Sequence, residues 1–433
     1  MLNRGILAAM GGAKDRQMAG DPGEAGFGVG VYAGDPADLT AIGLTPMPGC
    51  EDPLSENCGN YIHTNGSVMV FIPAFVYRIG QPSAPSYSRD GANALEIRDA
   101  FEMGMPAGST DVNWTPGDGW ALHRSAIDGG VLKLGFFVDK YLCSKKPGNL
   151  SIAVSMKSAN QISLSTHGEN SSSMTGCDGY ISDAITLSRA RGEAYSCVSA
   201  FQWSALSILS LACGQAAKSA ENCAWYDSNH KINFPKGCNN GSRGDTNDSS
   251  VKFDQHPESS SLGKTGSGAP FAKTTHNGQD CGVADVNGCM CQPLLGLYQG
   301  GNGTFYVAKE SYRMHDFTKD NCTAPSSFNK VIGMWKGNGR WGSGSNGVFT
   351  TETSGAKRAM CGVYPASGGA SGSGTDLFGT DFARQINIAG SVVMAAGTSR
   401  HGLDAGVWFR EGYYVEWTSV YGDAGVRAAG YAN

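Results

Sequence analysis

Hydrophobic and polar positions follow more than one period along this chain. Two stretches rich in β-branched and aromatic residues, 67–80 and 132–144, predict strands. Over Val198–Ala217 the apolar residues instead recur at steps of three and four, which predicts a helix with one apolar face. Ser199 and Gln202 form a capping box at its start, because each side chain can accept a hydrogen bond from a free backbone N–H there.

Other patterns complete the order of elements. A shorter helix is predicted over Ser182–Arg191, with Gly192 as its stop, and a helical candidate lies at Ala92–Met103. Residues 218–280 are polar and predict a long loop, whereas 281–433 alternate short apolar pieces with Gly and Asn turns, as short strands do. Strands, two helices and a long irregular β-rich half together predict an α+β fold class in which loops carry much of the mass.

The composition narrows the class of protein. Charged residues make up 16% of the chain, against roughly 25% in an average soluble domain, and glycine is about twice as frequent as usual. This favours a surface of loops and turns and excludes a long helical bundle. The net charge of −5 and the lack of a basic block argue against nucleic-acid binding. No apolar run approaches the roughly 18 residues of a membrane span, so membrane insertion is not expected.

The first 65 residues differ from the rest. They are rich in Gly, Ala, Asp and Pro without a clear period, which predicts a Gly-rich extended arm or a small assembly module over 1–65, followed by one domain over 66–433. The apolar patch near the N-terminus is too short for a secretory signal. We therefore expect the protein to stay in the cytoplasm, or to leave the cell by assembly or lysis.

Cysteines and short motifs offer little chemistry. The 13 cysteines are interpreted as reduced buried thiols, although Cys50 and Cys58 bracket a short loop and would pair in an oxidising setting. The Gly-Lys-Thr within 262–268 lacks the first glycine of a phosphate loop, since Glu258 stands there. The acidic run 245–250 lacks the Gly and the final Glu of an EF-hand. No nucleotide or metal site is predicted.

Several motifs together resemble one family. The strands at 67–80 and 132–144 and the two predicted helices are similar to the opening of the formylglycine-generating-enzyme type of C-type lectin fold. The stretch "HNGQDCGVADVNGCMCQ" resembles the motif of its central turn, with Cys289 in place of Asn and Gln292 in place of Glu. The closing "AAGTSRHGLDAGVWFRE" and "GVRAAGY" resemble the end of variable proteins that are diversified by retroelements.

This resemblance implies a C-type lectin-like ligand-binding domain with a C-terminal variable region at about 398–424, rewritten by mutagenic reverse transcription. Eight residues in and beside that region would be scaffold, namely Gly402, Ala405, Gly406, Val407, Gly425, Val426, Arg427 and Ala428. The diversified, ligand-binding positions would be Ser399, Arg400, His401, Leu403, Asp404, Trp408, Arg410, Glu411, Tyr413, Tyr414, Glu416, Trp417, Ser419, Tyr421 and Asp423.

The residue types of that region also favour binding. Tyr and Trp give large contact areas with few rotamers to freeze, and together with Arg they dominate binding hot spots. Aromatic residues crowd 408–421 among charged groups without a clean alternation, so many of these side chains are expected to face solvent and form a partner site. The alternative is that Trp408, Phe409 and Trp417 are core residues of a strand pair.

The resemblance also bears on function. The enzyme branch of this fold uses a copper-binding cysteine pair in its final segment, and here no cysteine follows Cys361, so neither enzyme activity nor a cofactor is expected. A calcium-dependent lectin needs an acidic residue in its Q-P-D or E-P-N motif, and Gln292–Leu294 lacks it.

A receptor-binding protein in the tail of a phage virion is therefore expected, with a host-surface protein or a glycan as partner. The resemblance further implies a homotrimer, docked to a tail structure by residues 1–65. Two alternatives stay open. One is a lectin-like binding protein on a bacterial surface or in the cytoplasm, and the other is a structural virion protein without a recognition role.

Overall fold

The computed structural model describes residues 16–165, 169–227, 234–301, 304–332, 338–340, 381–385, 389–412 and 416–432. The helices of this part are α1 Pro36–Ala41, α2 Tyr87–Asp90, α3 Asp183–Arg189 and α4 Ala200–Ala216. Its strands are β1 Leu44–Pro46, β2 Asn60–His63, β3 Val68–Pro73, β4 Phe75–Ile79, β5 Leu95–Asp99, β6 Ala121–Leu122, β7 Ile127–Asp128, β8 Val131–Leu132, β9 Gly135–Asp139, β10 Cys143–Lys146, β11 Asn149–Ser155, β12 Ser163–Leu164, β13 Tyr195–Cys197, β14 Gln292–Gly301, β15 Thr304–Ala308, β16 Phe328–Ile332, β17 Asn338–Arg340, β18 Phe382–Gln385, β19 Ala389–Ala396, β20 Gly406–Gly412, β21 Tyr421–Gly425 and β22 Ala428–Gly430.

Two larger sheets dominate this part of the chain, which is a mixed α+β structure with few helices and many short strands. One sheet has the strand order β1-β2-β3-β9-β22-β13, and the other has the order β16-β15-β14-β19-β20-β18-β17. The strands β4, β5 and β6 form a third sheet, and β7–β8, β10–β11 and β12–β21 are two-stranded pairs. The last strand, β22, lies between β9 and β13, so residues near the C-terminus complete a sheet that begins near the N-terminus.

The helix α4 confirms the predicted capping box. The Ser199 Oγ accepts a hydrogen bond from Gln202 N at 3.2 Å, and Gln202 Oε1 accepts one from Ser199 N at 2.8 Å. The helix is buried almost all round rather than on one face, because β5, β14 and β20 all contact it. Two of its buried serines are satisfied along the helix, since Ser207 Oγ donates to Trp203 O at 3.1 Å and Ser210 Oγ donates to Leu206 O at 2.8 Å.

The helical candidate at Ala92–Met103 is wrong. This stretch holds strand β5, which runs antiparallel to β4. The side chains of Leu95 and Ile97 are buried, whereas Glu96 and Arg98 are more exposed, which is the period of a strand and not of a helix. The two predicted strands are confirmed, but each divides: 67–80 becomes β3 and β4, which belong to different sheets, and 132–144 supplies β9 and the start of β10.

The described part of the N-terminal region, residues 16–65, is not an extended arm. Its strands β1 and β2 pair onto β3, and Met18 and Phe27 belong to the main hydrophobic core. The glycines that favoured an arm instead allow close packing, since a Cβ on Gly30 would lie 2.1 Å from Gln17 O. A domain boundary at residue 65 and a role in assembly stay predictions.

The polar region 218–280 is loop over its described residues, as predicted, apart from the 3₁₀ helix Phe271–Thr274. Val251 and Phe253 nevertheless anchor it in a small apolar cluster with Met290. No disulfide joins two of the described cysteines, almost all of which are buried, and this includes the pair Cys50 and Cys58 that brackets a short loop. Within the described residues no helix has the length and apolar character that a membrane span requires.

Arg427 anchors the last strand to the centre of the molecule. Its fully buried guanidinium donates from Nε to Gln292 Oε1 at 2.7 Å, from Nη1 to Asp139 O at 2.6 Å and from Nη2 to Ala284 O at 2.7 Å. Gln292 supplies the first of these acceptors with its Oε1, while its Nε2 donates to Asp285 O at 3.0 Å. This single side chain therefore joins β22 to β9 and to the turn that precedes β14.

Candidate functional site

The C-terminal segment, residues 398–424, begins in a tight turn between the strands β19 and β20. Gly397 has a φ of +79°, and a Cβ at this position would lie 2.9 Å from Ala405 Cβ, so the turn requires glycine. The 3₁₀ helix Gly402–Asp404 leads into β20, and β21 follows and pairs with β12. Rigid strands thus fix both ends of the segment.

The predicted positions in this segment differ widely in burial. The structure describes 13 of the 15, and Tyr413 and Tyr414 lie outside the described residues. The exposed positions are Arg400 and Glu416; the half-buried ones are His401, Leu403, Asp404, Ser419, Tyr421 and Asp423; the buried ones are Ser399, Trp408, Arg410, Glu411 and Trp417. The predicted scaffold positions are all buried except Gly402, which is half-buried.

The prediction of an open surface is wrong for Trp408, Arg410 and Glu411. They belong to β20, a central strand that lies between β19 and β18 and contacts α4. Trp408 is 1% exposed, and Arg410, at 0%, donates from Nη1 to Val407 O at 2.9 Å. Glu411 Oε1 accepts a hydrogen bond from Arg384 Nη1 at 2.9 Å. The polar side chains of Arg410 and Glu411 therefore form hydrogen bonds inside the protein.

Trp417 and Ser399 are also buried, contrary to the prediction. The carbonyl of Trp417 accepts a hydrogen bond from Ser182 N at 2.8 Å, which holds the segment against the start of α3. The backbone N of Ser399 donates to Cys289 O at 3.0 Å, and its carbonyl accepts from Gly241 N at 2.8 Å. Trp417 is 4% exposed, so the alternative interpretation is correct in that the tryptophans are core residues, although Trp417 lies in a turn and not in a strand.

The C-terminal segment lines a groove of about 270 Å³, which we call the C-terminal groove. One wall comes from the segment and the other from two earlier loops. Its lining residues are Gln161, Ser163, Ser165, Glu169, His256, Glu258, Ser259, Leu262, Met290, Ser399, Arg400, Val420, Gly422 and Asp423.

Hydrogen bonds hold the two walls together. The Ser163 Oγ donates to Gly422 O at 2.7 Å, and Ser163 is paired with Gly425 across β12 and β21. Gln161 ties one earlier loop to the other, since its Nε2 donates to Gly263 O at 2.9 Å and its Oε1 accepts from Thr265 N at 3.1 Å. The groove is therefore part of the folded framework.

The groove contains charged groups of both signs. Glu258 Oε2 accepts a hydrogen bond from Glu169 N at 2.9 Å, and Glu169 Oε2 lies 3.5 Å from Lys145 Nζ. Asp423 stands on the opposite wall with Arg400, which is exposed. Among the described residues, no lysine or arginine nitrogen lies within 4.0 Å of a carboxylate oxygen of Glu258 or Asp423.

His256 is the buried polar group of the groove. It is 3% exposed, its Nδ1 accepts a hydrogen bond from Glu258 N at 3.3 Å, and its Nε2 is buried near the Gln161 backbone without a well-formed hydrogen bond. Burial lowers the pKa of His256, so the ring is neutral near pH 7. Because Nδ1 accepts, the proton of the neutral ring lies on Nε2, which is then a hydrogen-bond donor without a partner.

A larger cavity, of about 570 Å³, lies elsewhere, next to Ile42, His63, Arg191, Glu193 and Tyr195. None of the predicted ligand-binding positions lines it. Among the described lining residues, the Arg191 guanidinium, whose side chain is 2% exposed, is already neutralised by an ion pair with Asp139 at 2.5 Å. Size alone therefore does not make it the better candidate.

Sequence reasoning missed the half of the C-terminal groove that the earlier loops supply. Glu169, His256 and Glu258 lie in polar stretches that were interpreted only as loop. The contact of Ser163 with Gly422 spans 259 positions, and no local pattern in one sequence signals a pairing of that range.

Comparisons with known proteins add little. The sequence matches no protein family and no curated protein. Among solved structures, the chain is similar to the Major Tropism Determinant U1 variant with a TM-score of 0.28 and 9% sequence identity, over 84% of this chain. The chain spans 63% of the length of that structure. Among the described residues, no three His, Cys, Asp or Glu side chains are placed to hold a metal ion.

Proposed function

We propose that this protein is a receptor-binding protein and that the C-terminal segment and groove form its ligand-binding surface. One observation carries the proposal. The segment keeps its scaffold residues Ala405, Gly406 and Val407 buried. It places Arg400, Tyr421 and Asp423, which were predicted to bind the ligand, at or beside a groove. Binding residues on loops that a rigid scaffold positions are the usual arrangement of a recognition site.

The finer parts of the proposal follow from the family resemblance. The scaffold is a C-type lectin-like domain, and a retroelement diversifies the segment. The extent of this diversification is restricted at the core positions Trp408, Arg410, Glu411 and Trp417, because a change there must preserve packing. The exposed and half-buried positions then carry most of the usable diversity.

The protein acts by binding and not by catalysis. No cysteine follows Cys361, so the copper-binding pair of the enzyme branch has no counterpart here, and no cofactor is assigned. We place the protein in a phage tail, as a homotrimer that recognises a protein or glycan of the host surface. Several copies would raise the avidity of a weak single site.

The test replaces exposed and half-buried side chains of the C-terminal segment and leaves its buried side chains unchanged. A variant with Arg400→Ala, Glu416→Ala, Ser419→Ala and Tyr421→Ala is expected to lose binding to intact bacterial cells by about tenfold or more, since one truncated hot spot among the four costs about 2 kcal/mol or more and about 1.4 kcal/mol is a tenfold loss. Its unfolding midpoint should stay close to that of the unchanged protein. Flow cytometry of the fluorescently labelled protein on a panel of bacterial strains gives the binding.

The matched control carries four alanines at exposed positions outside the groove, namely Glu51, Glu102, Lys252 and Asp254. It should bind cells as the unchanged protein does. Equal binding by both variants would contradict the proposal and favour a structural virion protein without a recognition role.

A further inference from the structure

The carboxylates of the C-terminal groove are available to a ligand. Glu258 and Asp423 stand on opposite walls, and in the described residues neither has a lysine or arginine partner. Glu169 is partly neutralised by Lys145 at 3.5 Å, and Arg400 is a lining residue of the groove. The charge of Lys264 acts on His256. An ammonium or guanidinium group that enters between the two unpaired carboxylates would form charge-assisted hydrogen bonds to both.

His256 supplies a second, independent feature. It is 97% buried, and its Nε2 lies near the Gln161 backbone without a well-formed hydrogen bond, which is unusual because buried polar groups are nearly always paired. A neutral ring with its proton on Nε2 offers a donor, and a donor takes a carbonyl oxygen. The groove therefore combines sites for a cation and for an acceptor such as a peptide carbonyl.

The size and the apolar lining fit a single side chain. The volume of about 270 Å³ is smaller than the roughly 300–1,000 Å³ of small-molecule sites. Leu262, Met290 and Val420, which is 45% exposed, give apolar surface along which the methylene stem of a long cationic side chain can pack. Among the described residues that line the groove there is no Phe, Tyr or Trp on which a sugar ring could stack.

We propose that the C-terminal groove binds a lysine or arginine side chain of a polypeptide receptor. This inference rests on the proposed function and deepens it. Glu258 and Asp423 pair with the cationic group, and His256 Nε2 donates to a backbone carbonyl beside it. Glu258, Glu169 and His256 lie outside 398–424, so this half of the site stays constant and fixes the charge class of the ligand while the segment varies.

The probe is a fluorescent decapeptide of alternating Gly and Lys, with the same peptide carrying Nε-acetyl-lysine as the neutral counterpart. The unchanged protein is expected to bind the lysine peptide in preference to the acetylated one. The double variant Glu258→Gln, Asp423→Asn should bind the lysine peptide with an affinity reduced by about tenfold or more, as expected for loss of close charge pairs. Fluorescence anisotropy at low and moderate salt gives the affinities, and thermal unfolding shows that the variants are folded.

The matched control is Glu102→Gln with Glu221→Gln, which removes the same charge from exposed positions outside the groove. Equal weakening in both double variants would mean nonspecific attraction to a net negative protein and would overturn the inference. Peptide affinity unchanged in Glu258→Gln, Asp423→Asn would overturn it as well.

Cell binding separates this inference from the proposed function. If the C-terminal segment is needed for cell binding but the double variant Glu258→Gln, Asp423→Asn binds cells as well as the unchanged protein does, the receptor-binding function stands and the basic ligand is refuted. The same holds if removal of surface glycans abolishes binding. Discrimination between the two peptides without binding to any cell would support the groove chemistry and refute the receptor role.

Discussion

Arg427→Met is expected to destabilise the protein by about 3–5 kcal/mol, which is enough to unfold many domains. The side chain is fully buried and donates to Gln292 Oε1, Asp139 O and Ala284 O. Methionine fills much of the volume but leaves three buried acceptors without donors, and each unsatisfied group costs about 1–3 kcal/mol. Chemical denaturation followed by tryptophan fluorescence measures the loss.

Two further variants identify the cause of that loss. Arg427→Lys keeps the charge but cannot place three donors in a fixed plane, so it should recover only part of the stability. Arg400→Met makes the same exchange at an exposed position and should change the free energy of unfolding by less than about 0.5 kcal/mol. A stability of Arg427→Met within about 1 kcal/mol of the unchanged protein would contradict the role given to this side chain.

Lowering the pH from 7 to 4.5 is expected to remove stability through two buried histidines. Burial lowers the pKa of His123 and of His276 from 6.5 to about 3. The unfolded chain therefore takes up protons first, so the contribution of each histidine is complete above pH 6.5 and falls as the pH drops toward about 3. Below pH 6.5 the free energy of unfolding falls by about 1.4 kcal/mol per pH unit for each histidine. At pH 4.5 the loss is about 2–3 kcal/mol for each of the two.

The measurement compares the free energy of unfolding of the unchanged protein with that of the variant His276→Gln at each pH. Buried carboxyl groups such as Asp285, whose pKa burial raises, titrate in the opposite sense, but they are present in both proteins and cancel. His276→Gln should therefore gain about 2–3 kcal/mol relative to the unchanged protein between pH 7 and pH 4.5. His276 Nδ1 accepts a hydrogen bond from Val283 N at 3.0 Å, so the variant starts from a lower stability. Parallel stability curves across this range would show that His276 protonates freely in the folded state.

Local patterns in the sequence predicted local structure well. The capping box of Ser199 and Gln202 and the two helices were found within one or two residues, because their signals lie within a few positions of each other. The strand at Leu95–Asp99 was taken for a helix, because its alternating burial, with Leu95, Ile97 and Asp99 inside, extends over only five residues. Burial against β4 selects the strand.

Burial in the C-terminal segment could not be predicted in the same way. The composition of 398–424 favoured an exposed surface, but Trp408 and Arg410 are buried because their strand lies inside a sheet. The neighbours that bury them come from α4 and from β18 and β19, and no local pattern specifies those partners. The same reason hid the groove, whose second wall comes from residues near 165 and 258.

The central claim is that the C-terminal segment and groove contact the receptor. A photo-crosslinking amino acid at Val420, on the rim of the groove, tests it against the same amino acid at Glu193, an exposed position beside the larger cavity. After irradiation on cells that bind the protein, we expect a covalent product with a cell-surface molecule from position 420 and none from position 193. A product from position 193 alone would place the receptor on the other cavity and contradict the account.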